Sequence, residues 1–339
     1  MARLTLSTSS LQQILFCPYS YYLAHILKEK GYMSYPTLLG QAVHRFINFL
    51  YSGKHPDRPF FYKGLEPQAR SAWFRKWSDI CANPPKEIRF PDKIEEQKYG
   101  AYGWICVKNY WQQNIDKPVP LYSEKRIKFP ILAGVDFVGV FDQIRELPID
   151  VIKKFNPGII RDGVFVSGYA NVVIVDLKTN RQDYDITKYK SNPSPLEQAM
   201  AQFELHEYIQ PTAYYWLYLK WTKKMPVGFF WYHLGSGKHF FTKRSTADFK
   251  TFMVQIRHAV NLLNSAEFPK KPSKICQYCD YNVACSKTRG SRGLQYSEPA
   301  INIGETRQFK VAMGGKKENK PKQLKFKLKV ERVARKNKD

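Results

Sequence analysis

No run in the 339-residue sequence approaches the ~18–20 consecutive apolar residues that a membrane-spanning helix needs, and no secretory signal pattern opens it. A soluble intracellular chain is expected. Cysteine is also scarce, with six residues, too few for a disulfide scaffold of this length. The third shortage is acidic charge. Twenty-nine Asp and Glu face 54 Lys and Arg, a net charge of +25. Residues 286–339 hold 16 basic and 5 acidic residues, a net +11, which leaves +14 on residues 1–285. A basic excess spread over body and tail suggests a polyanionic partner, nucleic acid first and anionic membrane second. With 43% hydrophobic and 15% aromatic residues, there is ample material for a folded core.

The chain is organised around Val172-Val173-Ile174-Val175-Asp176-Leu177-Lys178-Thr179. Four consecutive β-branched apolar residues read as a central strand buried on both faces. It ends on charges instead of turn residues. Alternation puts Asp176 and Lys178 on one face, where they either pair in solvent or serve a site.

Upstream, Ser9 or Ser10 is read as the N-cap of a first helix through Phe16, interrupted at Pro18 after Cys17. A second helix starts near Pro36 and brings Gly40 and His44 to one face at i, i+4. By itself, a His on an apolar helix face is more often a core or rim residue. Residues of about 20–120 form a helical layer, within which Pro91-Asp92 is ordinary turn chemistry. Strands are expected at 125–129 and 135–144, with Asp142 among apolar residues, followed by an insertion at about 145–170 carrying an extra hairpin. A helix is expected over 196–222, kinked or opened anew by Pro211, with Gln210 and Tyr214 on one face. A strand pair at 227–232 and 239–242 and a helix at 248–266 follow, then Cys276, Cys279 and Cys285. Cys81 and Cys106 stand alone and read as small core residues. Residues 288–339 read as a basic tail, a flexible arm for nucleic acid.

Asp142, Asp176 and Lys178 fall on strands that should be neighbours. Two carboxylates at strand ends suit a hard divalent cation, and a lysine beside them can orient water and stabilise charge on a phosphate. That outlines a phosphodiester-hydrolysis site. Gly40-x3-His44, Gly139-x2-Asp142, Asp176-x-Lys178 and Gln210-x3-Tyr214, in that order, resemble the RecB-like branch of the PD-(D/E)XK nuclease superfamily. Cys17-Pro18 before these motifs and Cys276-x2-Cys279-x5-Cys285 after them resemble its 4Fe–4S subgroup, which includes CRISPR-associated RecB-like exonucleases and the AddB nuclease domain.

The resemblance covers roughly residues 4–287 and departs in three places. Asp176 stands where the family more often has Glu, the Asp142–Asp176 spacing is long, and Pro211 follows Gln210. It implies an α/β restriction-endonuclease-like core, with a mixed sheet flanked by helices, an N-terminal helical layer and a cysteine-clasped C-terminal segment. It also implies one nuclease domain over 1–287. His44, Asp142, Asp176 and the Leu177 carbonyl would hold Mg²⁺ or Mn²⁺, Lys178 would be the catalytic lysine, and Gln210 and Tyr214 would support the site and the DNA.

Cys17, Cys276, Cys279 and Cys285 would hold a 4Fe–4S cluster. Four thiolates satisfy tetrahedral Zn²⁺ as well, but zinc sites usually draw on two nearby pairs, and here 259 residues separate Cys17 from Cys276. The implied activity is exonucleolytic cleavage of single-stranded DNA or DNA ends in recombination, repair or CRISPR-type adaptation. The setting would be the cytoplasm of a bacterial, archaeal or phage-infected cell, with a helicase or a recombination or adaptation complex as partner and no membrane. Tyr21, Tyr22 or Trp111 illustrate aromatics that could stack on bases. The competing reading is a DNA-binding nuclease-fold subunit without catalysis; an RNA-directed nuclease is a third.

Overall fold

The structure is a computed structural model that describes residues 3–51, 64–88, 91–161, 164–165, 168–181, 205–287, and residues 192, 194 and 197. The basic tail at 288–339 and the expected start of the helix at 196 lie outside these. Leu4–Ser7 form a strand, β1, too short for its alternation to stand out in the sequence. It moves the N-cap of the first helix, α1 (Thr8–Phe16), from the expected Ser9 or Ser10 to Ser7. The Ser7 hydroxyl accepts from the Ser10 amide, while the Ser10 hydroxyl accepts from the Ser7 amide at 2.7 Å. Cys17 then breaks the helix in an extended conformation, and Pro18 opens α2 (Pro18–Tyr21) at its first position.

The helical layer is α3 (Tyr35–Tyr51), α4 (Glu66–Ala82) and α5 (Lys93–Asn114). Asp92 caps α5 by accepting from the amides of Ile94 and Glu95, so the Pro91-Asp92 pair is local capping chemistry. Then come β2 (Tyr122–Leu132) and β3 (Val135–Glu146). The insertion holds a helix that the sequence reading missed, α6 (Ile149–Phe155), as well as a two-residue antiparallel pair, β4 (Ile160–Arg161) with β5 (Val164–Phe165). Strand β6 (Tyr169–Lys178) leads by way of α7 (Ile209–Thr222) to β7 (Met225–His233), β8 (Lys238–Thr242) and α8 (Asp248–Asn264). The short helix α9 (Asn282–Lys287) follows. Pro211 is the third residue of α7, where no intrahelical acceptor awaits its missing N–H, so it neither kinks the helix nor sits at its first position.

Six strands form one mixed sheet in the order β1-β3-β6-β7-β8, with β2 on the other edge of β3. Strand β6 is central: antiparallel to β3 and parallel to β7. Its side chains divide between two cores. Val173, Val175 and Leu177 pack with α3, α4 and α5, while Val172 and Ile174 pack with α1, α7 and α8. Both faces are buried, so the strand shows a continuous apolar run.

Within the helical layer, Trp73 and Trp77 of α4 lie against α5 and donate to the carbonyls of Gly100 and Glu96. A Cβ on Gly103 would stand 2.2 Å from Trp73 Cζ2 and 2.7 Å from Leu39 Cδ1, and Trp73 is fully buried. Gly103→Ala is therefore expected to destabilise the protein by about 1–3 kcal/mol of overpacking, despite alanine's better helix propensity. A thermal melt checks it: an unchanged or raised midpoint would mean that the Trp73 contact yields freely.

Candidate active site

Strands β1 and β6 share one edge of β3. Strand β1 pairs with residues 135–138 and β6 with 143–146, which leaves 139–142 without a strand partner on that edge among the described residues. The sheet opens there, and the charged residues gather at the opening. On the other edge, Ser123 pairs with Gln143 and Lys125 with Phe141, but Glu124 and Asp142 between them form no ladder pair. Phe141 and Ile144 lie in the same core although three residues apart, so the pleat slips a step around Asp142. Glu124 has φ +51°, a left-handed conformation uncommon for a residue with a side chain.

His44 arrives from α3. Its Nε2 lies 2.9 Å from the Leu177 carbonyl oxygen, which can only accept, so Nε2 carries the proton. That leaves Nδ1 facing the carboxylates, 3.5 Å from Asp142 Oδ1 and 3.9 Å from Glu124 Oε1. Imidazoles that bind metals are commonly oriented in this way, one nitrogen donating to a backbone carbonyl and the other free to ligate. The second Asp142 oxygen accepts from the Leu177 amide at 2.7 Å. Among the described residues, His44, Glu124 and Asp142 form a group whose ligand atoms all lie within 4.8 Å of one another, a group that could hold a divalent cation.

Asp176 lies beside this group. Gln210 Nε2 donates to its Oδ1 at 2.6 Å, and Lys178 Nζ stands 2.7 Å from its Oδ2 as an ion pair set off the line of a hydrogen bond. Lys178 also donates to Gln210 Oε1 at 3.0 Å. Tyr214 lies 3.4 Å from Gln210 Nε2 and donates to the Val140 carbonyl, tying α7 to the open edge of β3. Arg244, 4% exposed, fixes the start of α7 by donating to Thr212 Oγ1 and the Tyr208 carbonyl. Gln143, directly after Asp142, donates to Tyr110 on α5 at 2.6 Å, which anchors β3 to the helical layer.

Burial works against a charged imidazole at His44, but Asp142 foremost, then Asp176 and Glu124, more than offset it and raise its pKa to about 9. Burial pushes the Asp142 carboxyl up, but His44, the Leu177 amide and Lys178 hold it below the usual carboxylate range. Burial raises Asp176, only partly countered by Lys178, with Asp142 pushing the same way as burial. Burial and the neighbouring Asp142 carboxylate likewise raise Glu124. Positive charge is thus favoured at the point that Glu124, Asp142 and His44 Nδ1 surround.

The four cysteines come together in space. Cys17 lies between α1 and α2, Cys276 lies in a 3₁₀ turn (Lys274–Tyr278), Cys279 directly follows that turn, and Cys285 lies in α9; together they line a cavity of about 200 Å³. The Ser273 amide donates to Cys276 Sγ at 3.3 Å. Burial raises Cys279 to about 11, helped by the charges of Cys17 and Cys276. Thiolates packed this closely destabilise one another unless a cation sits among them. Of the other two cysteines, Cys106 is fully buried and Cys81 partly so.

Two aromatics named as base-stacking illustrations are core residues. Tyr21 is 5% exposed and Trp111 4%, packed under the N-terminal helices and in the helical layer. Tyr22 stacks on Phe268 at 4.9 Å between ring centroids. The residue that the sequence reading missed is Glu124. It stands in a polar stretch, Ser123-Glu124-Lys125-Arg126, with no periodic signal, and its backbone angle is not legible in the sequence.

A model of the PD-(D/E)XK nuclease superfamily matches residues 5–154 and 159–286, and the chain belongs to that superfamily. This membership indicates a metal-dependent nuclease with DNA as its substrate. No curated protein matches the chain. No helix among the described residues is long and apolar enough to cross a membrane.

Glu124→Asn separates the two consequences of this residue. Asn tolerates left-handed backbone better than Glu and removes a charge facing Asp142. The metal-free protein is expected to melt at a higher temperature, while Mn²⁺ affinity measured by calorimetry falls at least tenfold. Unchanged Mn²⁺ affinity would remove Glu124 from the cation site.

Proposed function

We propose that the chain is a metal-dependent DNA exonuclease of the RecB-like 4Fe–4S branch, acting on single-stranded DNA or DNA ends in recombination, repair or adaptation. The observation that carries the catalytic reading is the orientation of His44. With Nε2 bound to the Leu177 carbonyl, Nδ1 points at Asp142 and Glu124, beside the Asp176–Lys178 pair. The donor set of one imidazole and oxygens suits Mg²⁺ or Mn²⁺. When bound, such an ion would supply Lewis-acid polarisation of the phosphate and acidification of water.

In this reading His44, Asp142 and Asp176 are the cation ligands from the family pattern, joined by Glu124. The Leu177 carbonyl, expected as a ligand, accepts from His44 and thereby orients the ring. Lys178, held by Asp176 and Gln210, stabilises charge on the phosphate and positions the attacking water. Hydrolysis joins the water oxygen to phosphorus, breaks the bond to the departing sugar oxygen, and passes the water's proton to that oxygen or to solvent. Gln210 fixes both Asp176 and Lys178, and Tyr214 fixes Gln210. Residues 1–287 form the nuclease domain in this reading, and 288–339 a basic arm that contacts nucleic acid. The net charge of +25 supports a polyanion as substrate. A helicase or recombination complex in the cytoplasm is the partner that this activity calls for.

Asp176→Asn tests the site. It removes charge from the carboxylate that holds Lys178 and touches none of the basic surface. Metal-dependent cleavage of end-labelled DNA is expected to fall below a few per cent, while DNA affinity stays within about twofold. Substantial residual cleavage would take Asp176 out of the machinery.

For the cysteine site we favour the cluster over zinc. A single tetrahedral Zn²⁺, with Zn–S near 2.3 Å, draws four sulfurs close about one point. Here one ligand stands 259 residues before the next in the sequence, in the pattern that resembles the cluster subgroup, and the four cysteines border one cavity of about 200 Å³. Anaerobically purified protein is expected to be brown, with about four irons per chain. Cys17→Ala should lose the colour as fully as Cys279→Ala and lower the melting temperature, because Cys17 joins α1 to the last described segment. Colourless protein carrying one zinc per chain would exclude the cluster; iron content unaffected by Cys17→Ala would exclude Cys17.

A further inference from the structure

Arg244 follows β8 and is a buried cation whose hydrogen bonds, among the described residues, all go to neutral acceptors. Its Nε donates to Thr212 Oγ1 at 2.7 Å, and its Nη1 to Thr242 Oγ1 at 2.6 Å, His206 Nδ1 at 3.0 Å and the Lys243 carbonyl. Its Nη2 donates to the carbonyls of His206 and Tyr208. We infer that Arg244 is a positioning residue for cleavage, holding Gln210 where Gln210 in turn fixes Asp176 and Lys178, an inference that rests on the nuclease reading above.

A buried cation loses solvation that neutral acceptors return only in part, and an apolar side chain would fill the same place at less cost. What a guanidinium adds is geometry, a rigid planar fork of five N–H donors. Its contacts bracket Gln210, with the Tyr208 carbonyl two residues before and the Thr212 hydroxyl two residues after. The start of α7 has little other support. Tyr208 stands at the N-cap without a side-chain cap bond, and Pro211 has no N–H to offer. Gln210 is the second residue of that helix, so the first turn decides where its amide lies. That amide donates to Asp176 Oδ1 at 2.6 Å and accepts from Lys178 Nζ at 3.0 Å. A displacement of about 1 Å would loosen both bonds and leave the Lys178 ammonium misplaced for the phosphate. Thr242, from β8, and the Lys243 carbonyl fasten the fork to the sheet, so α7 is set against the strands that carry the site. The counter-charge stands at one remove. A guanidinium only donates, so His206 Nδ1 accepts and Nε2 carries the proton, 3.6 Å from Asp248 Oδ1.

The test is a double-mutant cycle on the full chain, read by single-turnover cleavage of end-labelled DNA at saturating Mn²⁺ and DNA. DNA affinity in EDTA and the melting temperature are measured beside it. Arg244→Met should slow cleavage at least about tenfold while affinity stays within about twofold. In a Gln210→Ala background the same substitution should slow cleavage by less than about twofold more, because the group it acts through is gone. Thr212→Val removes one acceptor with little change of shape and should slow cleavage severalfold, again only where Gln210 is present. It carries the cycle if Arg244→Met does not fold. A readout without cleavage is the side-chain amide resonance of Gln210 in the metal-free protein, assigned by its loss in Gln210→Ala. Both Arg244→Met and Thr212→Val should move it toward the position of a free amide. An Arg244 that only stabilised the fold would lower the melting temperature and slow cleavage alike in both backgrounds, with the amide unmoved, and that result would overturn the inference. Absence of Mg²⁺- or Mn²⁺-dependent cleavage by the wild type would overturn the nuclease reading instead and leave the amide resonance to decide whether Arg244 places Gln210.

Discussion

Three carboxylates, Glu124, Asp142 and Asp176, meet where the sheet opens, and their repulsion sets the terms for the site. At roughly 4 Å and an effective dielectric near 20, two like charges cost about 4 kcal/mol, several times the net worth of an ordinary hydrogen bond. The chain meets that cost with two cations, His44 from α3 and Lys178 from β6, and with the Leu177 amide. These hold Asp142 ionised but leave Glu124 and Asp176 raised, so the compensation is incomplete. A divalent cation among Glu124, Asp142 and His44 Nδ1 would complete it.

The fold is arranged to deliver those groups to one point. The gap between β1 and β6 along β3 leaves residues 139–142 without a ladder partner on that edge among the described residues, α3 presents His44 across the Leu177 peptide, and α7 presents Gln210 and Tyr214 from the other face. Gly40 and Gly139 make both approaches close. A Cβ at Gly40 would lie 3.3 Å from Thr179 Oγ1, and one at Gly139 would lie 2.6 Å from Leu217 Cδ1 and 3.1 Å from the Tyr214 ring. At the edge of this arrangement, the C-terminal end of α1 carries Cys17 to the other cysteines.

Much of this was legible in the residues. The Val172–Val175 run announced a strand buried on both faces, and the charges ending it lie as a close pair because Asp176 and Lys178 alternate onto one side. Strand and helix patterns long enough to be periodic marked the main elements, while the mixed sheet flanked by helices was what the resemblance to the nuclease superfamily implied. Short or irregular features were not legible. Strand β1 has four residues, and its pairing with β3, not its own sequence, makes it a strand. Helix α6 has seven residues in a segment punctuated by Pro and Gly, so turn signals outweighed its period. Glu124 was hidden for a different reason: its place depends on a left-handed backbone angle and a slipped pleat, which arise from pairing across two strands.

Anomalous diffraction at the manganese edge, from crystals grown with Mn²⁺, tests the central claim most directly. The expected result is a peak within ligand distance of His44 Nδ1 and of carboxylate oxygens from Glu124 and Asp142, with Lys178 still beside Asp176. A peak elsewhere, or a fully occupied Mn²⁺ that touches none of these three, would contradict the view that their shared negative charge exists to hold a cation.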